Sequence, residues 1–190
     1  MKKWILLSLG FFLFSLSFAS TQETQPLEVK AKLTDNQGSF DLSLSCWNAD
    51  TQIWEKSWLD LPQTELDPVS PHVISNGAVL ITISGKLHSI DLATGTINFR
   101  KAKVGACSHQ PVVGKDGTIY CSGYYGPVIT AVAPDGNVKW NYANDDMWWP
   151  DAIQLHDDVI QVLHYHSNGE DEMVSTFSES GKLLKTEKRK

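Results

Sequence analysis

Three phrases of β-strand character close on the same kind of turn, and their spacing constrains the fold more than any other feature of the chain. The turn glycines are Gly95, Gly136 and Gly181, separated by 41 and 45 residues. Before Gly95 run Ala78-Val79-Leu80-Ile81-Thr82 and Lys86-Leu87-His88-Ser89-Ile90-Asp91, and after it Thr96-Ile97-Asn98-Phe99. The phrase returns as Thr118-Ile119-Tyr120-Cys121, Val128-Ile129-Thr130-Ala131-Val132 and Val138-Lys139-Trp140, then as Val159-Ile160-Gln161-Val162-Leu163, Met173-Val174-Ser175-Thr176-Phe177 and Lys182-Leu183-Leu184. β-Branched and apolar residues fill the runs, and glycine supplies the positive φ of the turns. A weaker upstream phrase, Asp41 to Trp47 with Asp50 to Trp54, lacks the glycine yet keeps the step, since Thr51 and Thr94 lie 43 residues apart.

A period of about 40 to 45 residues built from short strands, with no i, i+3, i+4 apolar spacing, predicts the blades of a β-propeller rather than a helical array. The fold class read here is all-β: propeller-like repeats of four-stranded antiparallel blades, about four of them, forming a partial or small ring. The repeats fall at about 27–58 (degenerate), 73–100, 105–142 and 148–185.

The repeats also resemble a known family. Ser89-Ile90-Asp91-Leu92-Ala93-Thr94-Gly95-Thr96-Ile97-Asn98-Phe99 is similar to the repeat of pyrroloquinoline-quinone-type (quinoprotein-like) propellers, Ala-x-Asp-x-x-Thr-Gly-Lys-x-x-Trp. Asp91, Thr94 and Gly95 match, while Ser89, Thr96 and Phe99 replace Ala, Lys and Trp. Ala131 to Trp140 is a form one residue shorter that keeps the terminal Trp. The resemblance implies that Phe99 and Trp140 dock one blade on the next, with Trp54 the corresponding residue of the degenerate copy. Enzymes of the family hold a quinone on the axis with calcium, a catalytic Asp and often adjacent cysteines, and none of these can be matched here. Non-enzymatic members, among them the lipoprotein of the outer-membrane β-barrel assembly machine, use the blades as a binding surface. The resemblance therefore favours a scaffold that needs no cofactor.

The N-terminus predicts a secretory signal over 1–19: a basic Met1-Lys2-Lys3, an apolar run from Trp4 to Phe18, and small residues Ser17 and Ala19 before a cleavage site. The repeat domain is then 20–190, in a periplasmic or secreted setting, with no stable membrane span after signal removal. Cleavage is the favoured reading, with an uncleaved anchor as the alternative. Sixteen Lys and Arg against 22 Asp and Glu give a formal charge of -6, which disfavours nucleic acid because phosphate binding needs clustered cations.

That compartment permits disulfides, but the three cysteines Cys46, Cys107 and Cys121 leave one over. Pairing Val113 with Thr118 across the hairpin turn sets Cys121 opposite Gln110, so a bridge to Cys107 requires a bulge or loop, and the pairing stays open. The bland reading is three small buried residues.

Length sharpens the functional reading. Residues 20–190 hold four blades at most, and a partial ring exposes the flanks of its end blades. A closed four-bladed ring, an array completed by oligomerising, and a stack docked on a larger partner are all open, with association by a partner or by self-association favoured. Trp148, Trp149 and Asp151 fall where the innermost strand of the last repeat begins, and two tryptophans there suit an interface anchor, a sugar platform or inter-blade packing. His164 and His166 share a strand face at a spacing that suits two Zn²⁺ or Cu²⁺ ligands, with His156, Asp157 or Asp171 as a third; the alternative is a solvated strand end. The function expected is a non-enzymatic binding or scaffold protein of the envelope. The alternatives are a quinone- or metal-binding redox subunit, or a carbohydrate-binding module.

Overall fold

The computed structural model describes residues 26–189 except 36, 38, 63–70, 84–85, 103–106, 108, 123–127, 144–146 and 167–170. The signal-peptide expectation for 1–19 lies outside the described residues, as does the Ser84-Gly85 turn.

Fifteen strands form four antiparallel sheets in chain order. Blade 1 is β1 (Leu27–Asp35), β2 (Ser39–Asn48) and β3 (Thr51–Pro62). Blade 2 is β4 (His72–Ile74), β5 (Ala78–Ile83), β6 (Lys86–Asp91) and β7 (Ile97–Ala102). Blade 3 is β8 (Val112–Val113), β9 (Ile119–Cys121), β10 (Ile129–Val132) and β11 (Val138–Tyr142), and blade 4 is β12 (Met147–His156), β13 (Val159–His166), β14 (Glu172–Ser178) and β15 (Leu183–Lys188). Among the described residues no helix is long and apolar enough to cross a membrane.

The degeneracy of the first repeat has a structural meaning. Blade 1 has three strands, and its β2–β3 hairpin, which pairs Cys46 with Trp54, matches the β6–β7 hairpin of blade 2, which pairs Ser89 with Phe99. Among the described residues, blade 1 therefore shows the equivalents of β5, β6 and β7 and no counterpart of the innermost β4.

The repeated turn is fixed by local hydrogen bonding. In blade 2 the Thr94 hydroxyl and N–H both donate to Asp91 Oδ1 at 2.8 Å, the Gly95 N–H donates to Asp91 O, and Gly95 stands at φ 70°. Those two donors, the hydroxyl first, hold the Asp91 carboxyl below its ordinary range. Gly136 and Gly181 close the corresponding turns at φ 85°. Blade 1 instead joins β2 to β3 through Ala49 and Asp50, with Ala49 at φ 49°.

Alternation along the strands sends one face of each sheet to each neighbour. Leu42 and Leu44 of blade 1 pack with Val79, Ile81, Ile83 and Ile90 of blade 2. Leu80, Leu87 and Phe99 continue through Cys107 to Ile119, Cys121 and Val132 of blade 3, and Tyr120, Ile129 and Ala131 meet Ile153, Ile160, Val162 and Phe177 of blade 4. Each fully buried aliphatic side chain contributes about 1.5 to 3 kcal/mol. Among the described residues, no such cluster joins blade 4 to blade 1.

Candidate functional site

The aromatic residues expected to dock the blades do so at specific places. Trp54 on β3 donates its indole N–H to Leu92 O across the blade 1–2 interface at 2.8 Å. Trp140 on β11 repeats the move, donating to Glu179 O at 2.8 Å and lying against Tyr120 with ring centroids 5.9 Å apart. The two rings cover the turn glycines of the next blade: a Cβ on Gly95 would lie 2.7 Å from Trp54, and one on Gly181 would lie 2.5 Å from Trp140. Phe99 has no N–H to donate and is buried in the cluster shared by blades 2 and 3. The corresponding position of blade 4, four residues after Gly181, is Lys185, which is exposed and paired with Glu187 at 2.7 Å.

The residues singled out as a binding patch sit on the innermost strand of blade 4. Trp148 pairs with Tyr165 in the β12–β13 ladder, and the register shifts on both sides of Pro150. These irregularities set Asp151 exposed between buried Pro150 and half-buried Ala152. The side chains of Trp148 and Trp149 lie outside the described residues. Asp151 lies near enough to oppose the lowering of the His109 pKa, which burial of the imidazole dominates.

His164 and His166 are on β13, and the His166 side chain lies outside the described residues. His164 is buried beside Ser175, with Nδ1 3.1 Å from Tyr165 O and Nε2 2.9 Å from Ser175 Oγ. A carbonyl only accepts, so Nδ1 donates there; in the neutral ring Nε2 then accepts from Ser175. Of the third ligands considered, His156 lies 3.2 Å from Gln154 Oε1 and Asp171 pairs with Lys188. Among the described residues no group of three His, Cys, Asp or Glu is placed to hold a metal ion.

The cysteines are free thiols and buried. The hairpin register differs from expectation by one residue: Val113 pairs with Ile119, because a loop closed by Gly114 N–H to Thr118 O takes Thr118 out of the ladder. The segment before β8 then brings Cys107 into hydrogen-bond contact with Cys121, and that contact together with burial raises the Cys121 pKa well above that of a free thiol. Cys46 is apart from them, in blade 1.

Two further surfaces emerge that residue spacing alone does not reveal. The outward face of blade 4 carries a small cleft of about 90 Å³ lined by Ala152, Gln154, Gln161, Leu163, Val174 and Arg189. Beside it Thr176 is buried with its hydroxyl unpartnered among the described residues. The second surface is a cleft of about 190 Å³ between blades 1 and 2, lined by Trp58, Leu61, Ile83, Lys86, His88 and Arg100. His88 is only 4% exposed, its ring centroid lies 5.7 Å from that of Trp58, and its Nδ1 has no hydrogen-bond partner among the described residues. Burial first, then Arg100 and Lys86, lower its pKa to about 4.

Comparison with known proteins places this architecture. No protein-family model matches the sequence, and no curated protein matches it at a significant level. Solved structures do match. BamB from Moraxella catarrhalis superposes with a TM-score of 0.56 at 14% identity, over 85% of this chain and 51% of that one. The hydrazine synthase of Kuenenia stuttgartiensis superposes at 0.58 and 12% identity, over 84% and 48%. The chain has the fold of a β-propeller. It spans about half the length of these two structures. A quinoprotein alcohol dehydrogenase-like protein from Bacteroides thetaiotaomicron also matches, with a TM-score of 0.26 at 12% identity, over 84% of this chain and 66% of that one.

Proposed function

We propose that this chain is a non-enzymatic binding or scaffold protein of the periplasm or secreted space, which holds an envelope protein against its fourth blade. The observation that carries the reading is the contrast between the two end faces. Much of the outward face of blade 1 is polar, although Ile53 and Leu59 of β3 are exposed: Lys30 lies over the Trp47 ring at 5.2 Å and pairs with Glu28 at 3.1 Å, Trp47 donates to Ser45 Oγ, and Ser43 donates to Glu55. Such a face is at ease in water, as are the outer faces of terminal repeats in solenoids. The outward face of blade 4 has half-buried Ala152, Leu163 and Val174 around a cleft, with the orphaned Thr176 hydroxyl nearby. A buried hydroxyl without a partner costs about 1 to 3 kcal/mol, and a docked chain would relieve that cost.

Trp148, Trp149 and Asp151, on the innermost strand of the same blade, are proposed as part of the binding site, and the resemblance to scaffold propellers supports the same use. Self-association is the less favoured form of the reading, because Lys185 replaces the docking aromatic on the last blade and blade 1 has no turn glycine to receive one.

The test is a photo-crosslinking residue placed at Leu163, at Trp148 and, as control, at Ser45. In cells the first two positions should yield the same adduct and Ser45 none, and Leu163→Asp should remove the adduct formed from Trp148. Adducts of equal yield from Ser45 and Leu163 would overturn the assignment to blade 4. Recovery of the crosslinked protein only in the cytoplasmic fraction would overturn the envelope setting.

A further inference from the structure

We propose that the cleft between blades 1 and 2 binds a small organic carboxylate with an apolar body, held by Arg100 and Lys86 and stacked against Trp58. The proposal is independent of the partner surface on blade 4.

The charge distribution on this interface is its starting point. Ladder pairing places Lys86, His88 and Ile90 on the face of β6 that meets blade 1, with Arg100 directly opposite His88. Across the gap, β3 presents Trp54, Lys56 and Trp58 on the face of Leu42, Leu44 and Cys46, since these pair directly. The described residues of the two facing surfaces thus include three cations and a histidine, while the carboxylate that ladder pairing puts on the same face, Asp35 opposite Phe40, sits on the edge strand β1, two strands from β3. Neither Lys86 nor Arg100 forms an ion pair among the described residues. Both side chains are exposed, so they are solvated and free to meet an anion that enters beside the apolar interface.

The geometry then selects the kind of anion. Trp54 pins the blades together at the Gly95 end of β6, whereas the cleft opens at the other end, beside Ile83 and Lys86. Its volume of about 190 Å³ is below that of a drug-sized pocket and limits the ligand to a small molecule. Trp58, Leu61 and Ile83 supply apolar walls, and Arg100 supplies a planar fork that matches a carboxylate in two-point contact. His88 offers the unpartnered Nδ1 as a further hydrogen-bonding group at the wall. A bare inorganic oxyanion would use the cations and leave the apolar walls unfilled.

The probes are 2-naphthoate, its uncharged analogue 2-naphthamide, and inorganic phosphate, titrated into the intact protein at constant ionic strength. Calorimetry and the ring-proton resonances of His88 provide the readouts. Naphthoate should bind and shift the His88 resonances, raising the pH midpoint of the His88 titration, because a bound anion favours the imidazolium. Naphthamide and phosphate should each bind at least about tenfold more weakly, the worth of a charge-assisted contact or of the apolar stacking. Arg100→Gln and Lys86→Gln, both on exposed side chains, should each weaken naphthoate about tenfold with unchanged unfolding midpoints. Naphthamide binding as tightly as naphthoate would reduce the site to an apolar cleft, and phosphate binding as tightly would reduce it to a simple oxyanion site. Either result overturns the proposal, as does naphthoate binding that leaves the His88 resonances unmoved.

Discussion

Gly181 and Trp140 are joined by two physical demands at one position. Gly181 sits at φ 85°, where a side chain is strained, and any Cβ there would meet the Trp140 ring at 2.5 Å. Gly181→Ala should therefore destabilise the protein by about 2 to 4 kcal/mol in urea unfolding, from backbone strain and overpacking together. Trp140→Ala should cost a similar amount by leaving a cavity, and Trp140→Phe only about 1 kcal/mol, the value of the bond to Glu179 O. In the double variant Gly181→Ala with Trp140→Ala the steric part of the glycine penalty disappears. The combined loss should fall short of the sum by about 1 kcal/mol or more. Additive losses would show that the ring does not close on that turn. The same pairing explains why the aromatic at the end of one repeat and the glycine of the next recur together in the sequence.

At the scale of elements, what the sequence makes legible is what local chemistry decides. The Asp91-Thr94-Gly95 turn closes within five residues, so its signature could be read directly, and the period followed from its recurrence. The three-strand makeup of blade 1 among the described residues was legible only as degeneracy, since its hairpin turn lacks the glycine of the other repeats. The one-residue error at Val113 came from the loop that ends at Thr118, whose N–H and hydroxyl are held by Asp116 rather than by the ladder. The cleft around His88 was not legible, since Trp58 and Arg100 meet only after two blades stack. Blade 1 also differs from the others in exposure. β1 is exposed over most of its length and pairs with β2 alone, whereas β5 is buried throughout between two partners. In native-state hydrogen exchange, amides of β1 should exchange at least about a hundredfold faster than those of β5 and β6. Equal protection would mean that β1 is covered on its open edge.

For the molecule as a whole, what matters is how the outer faces of blades 1 and 4 differ from the docked ones. Propellers ordinarily dock each blade on the next all the way round, and here the docking device operates from blade 1 to 2 and from 3 to 4 through Trp54 and Trp140. It is absent from both outer faces: Lys185 carries a charge where the aromatic would stand, and the Ala49-Asp50 hairpin offers no glycine to receive a ring. Two copies set end to end would bring Lys185 against that hairpin and bury the Lys30, Glu28 and Glu55 charges of blade 1, a desolvation that apolar contact from Leu163 and Val174 alone would not offset. Purified protein should therefore run as a monomer in native mass measurement at micromolar concentration, with no ring of two copies, while still forming the Leu163 crosslink in cells. Leu163→Asp should leave that mass unchanged and abolish the crosslink, which separates a hetero-partner surface from a self-docking one. A stable dimer that Leu163→Asp dissociates would instead assign the blade 4 cleft to a second copy of the chain, and the polar face of blade 1 would then be the surface left free.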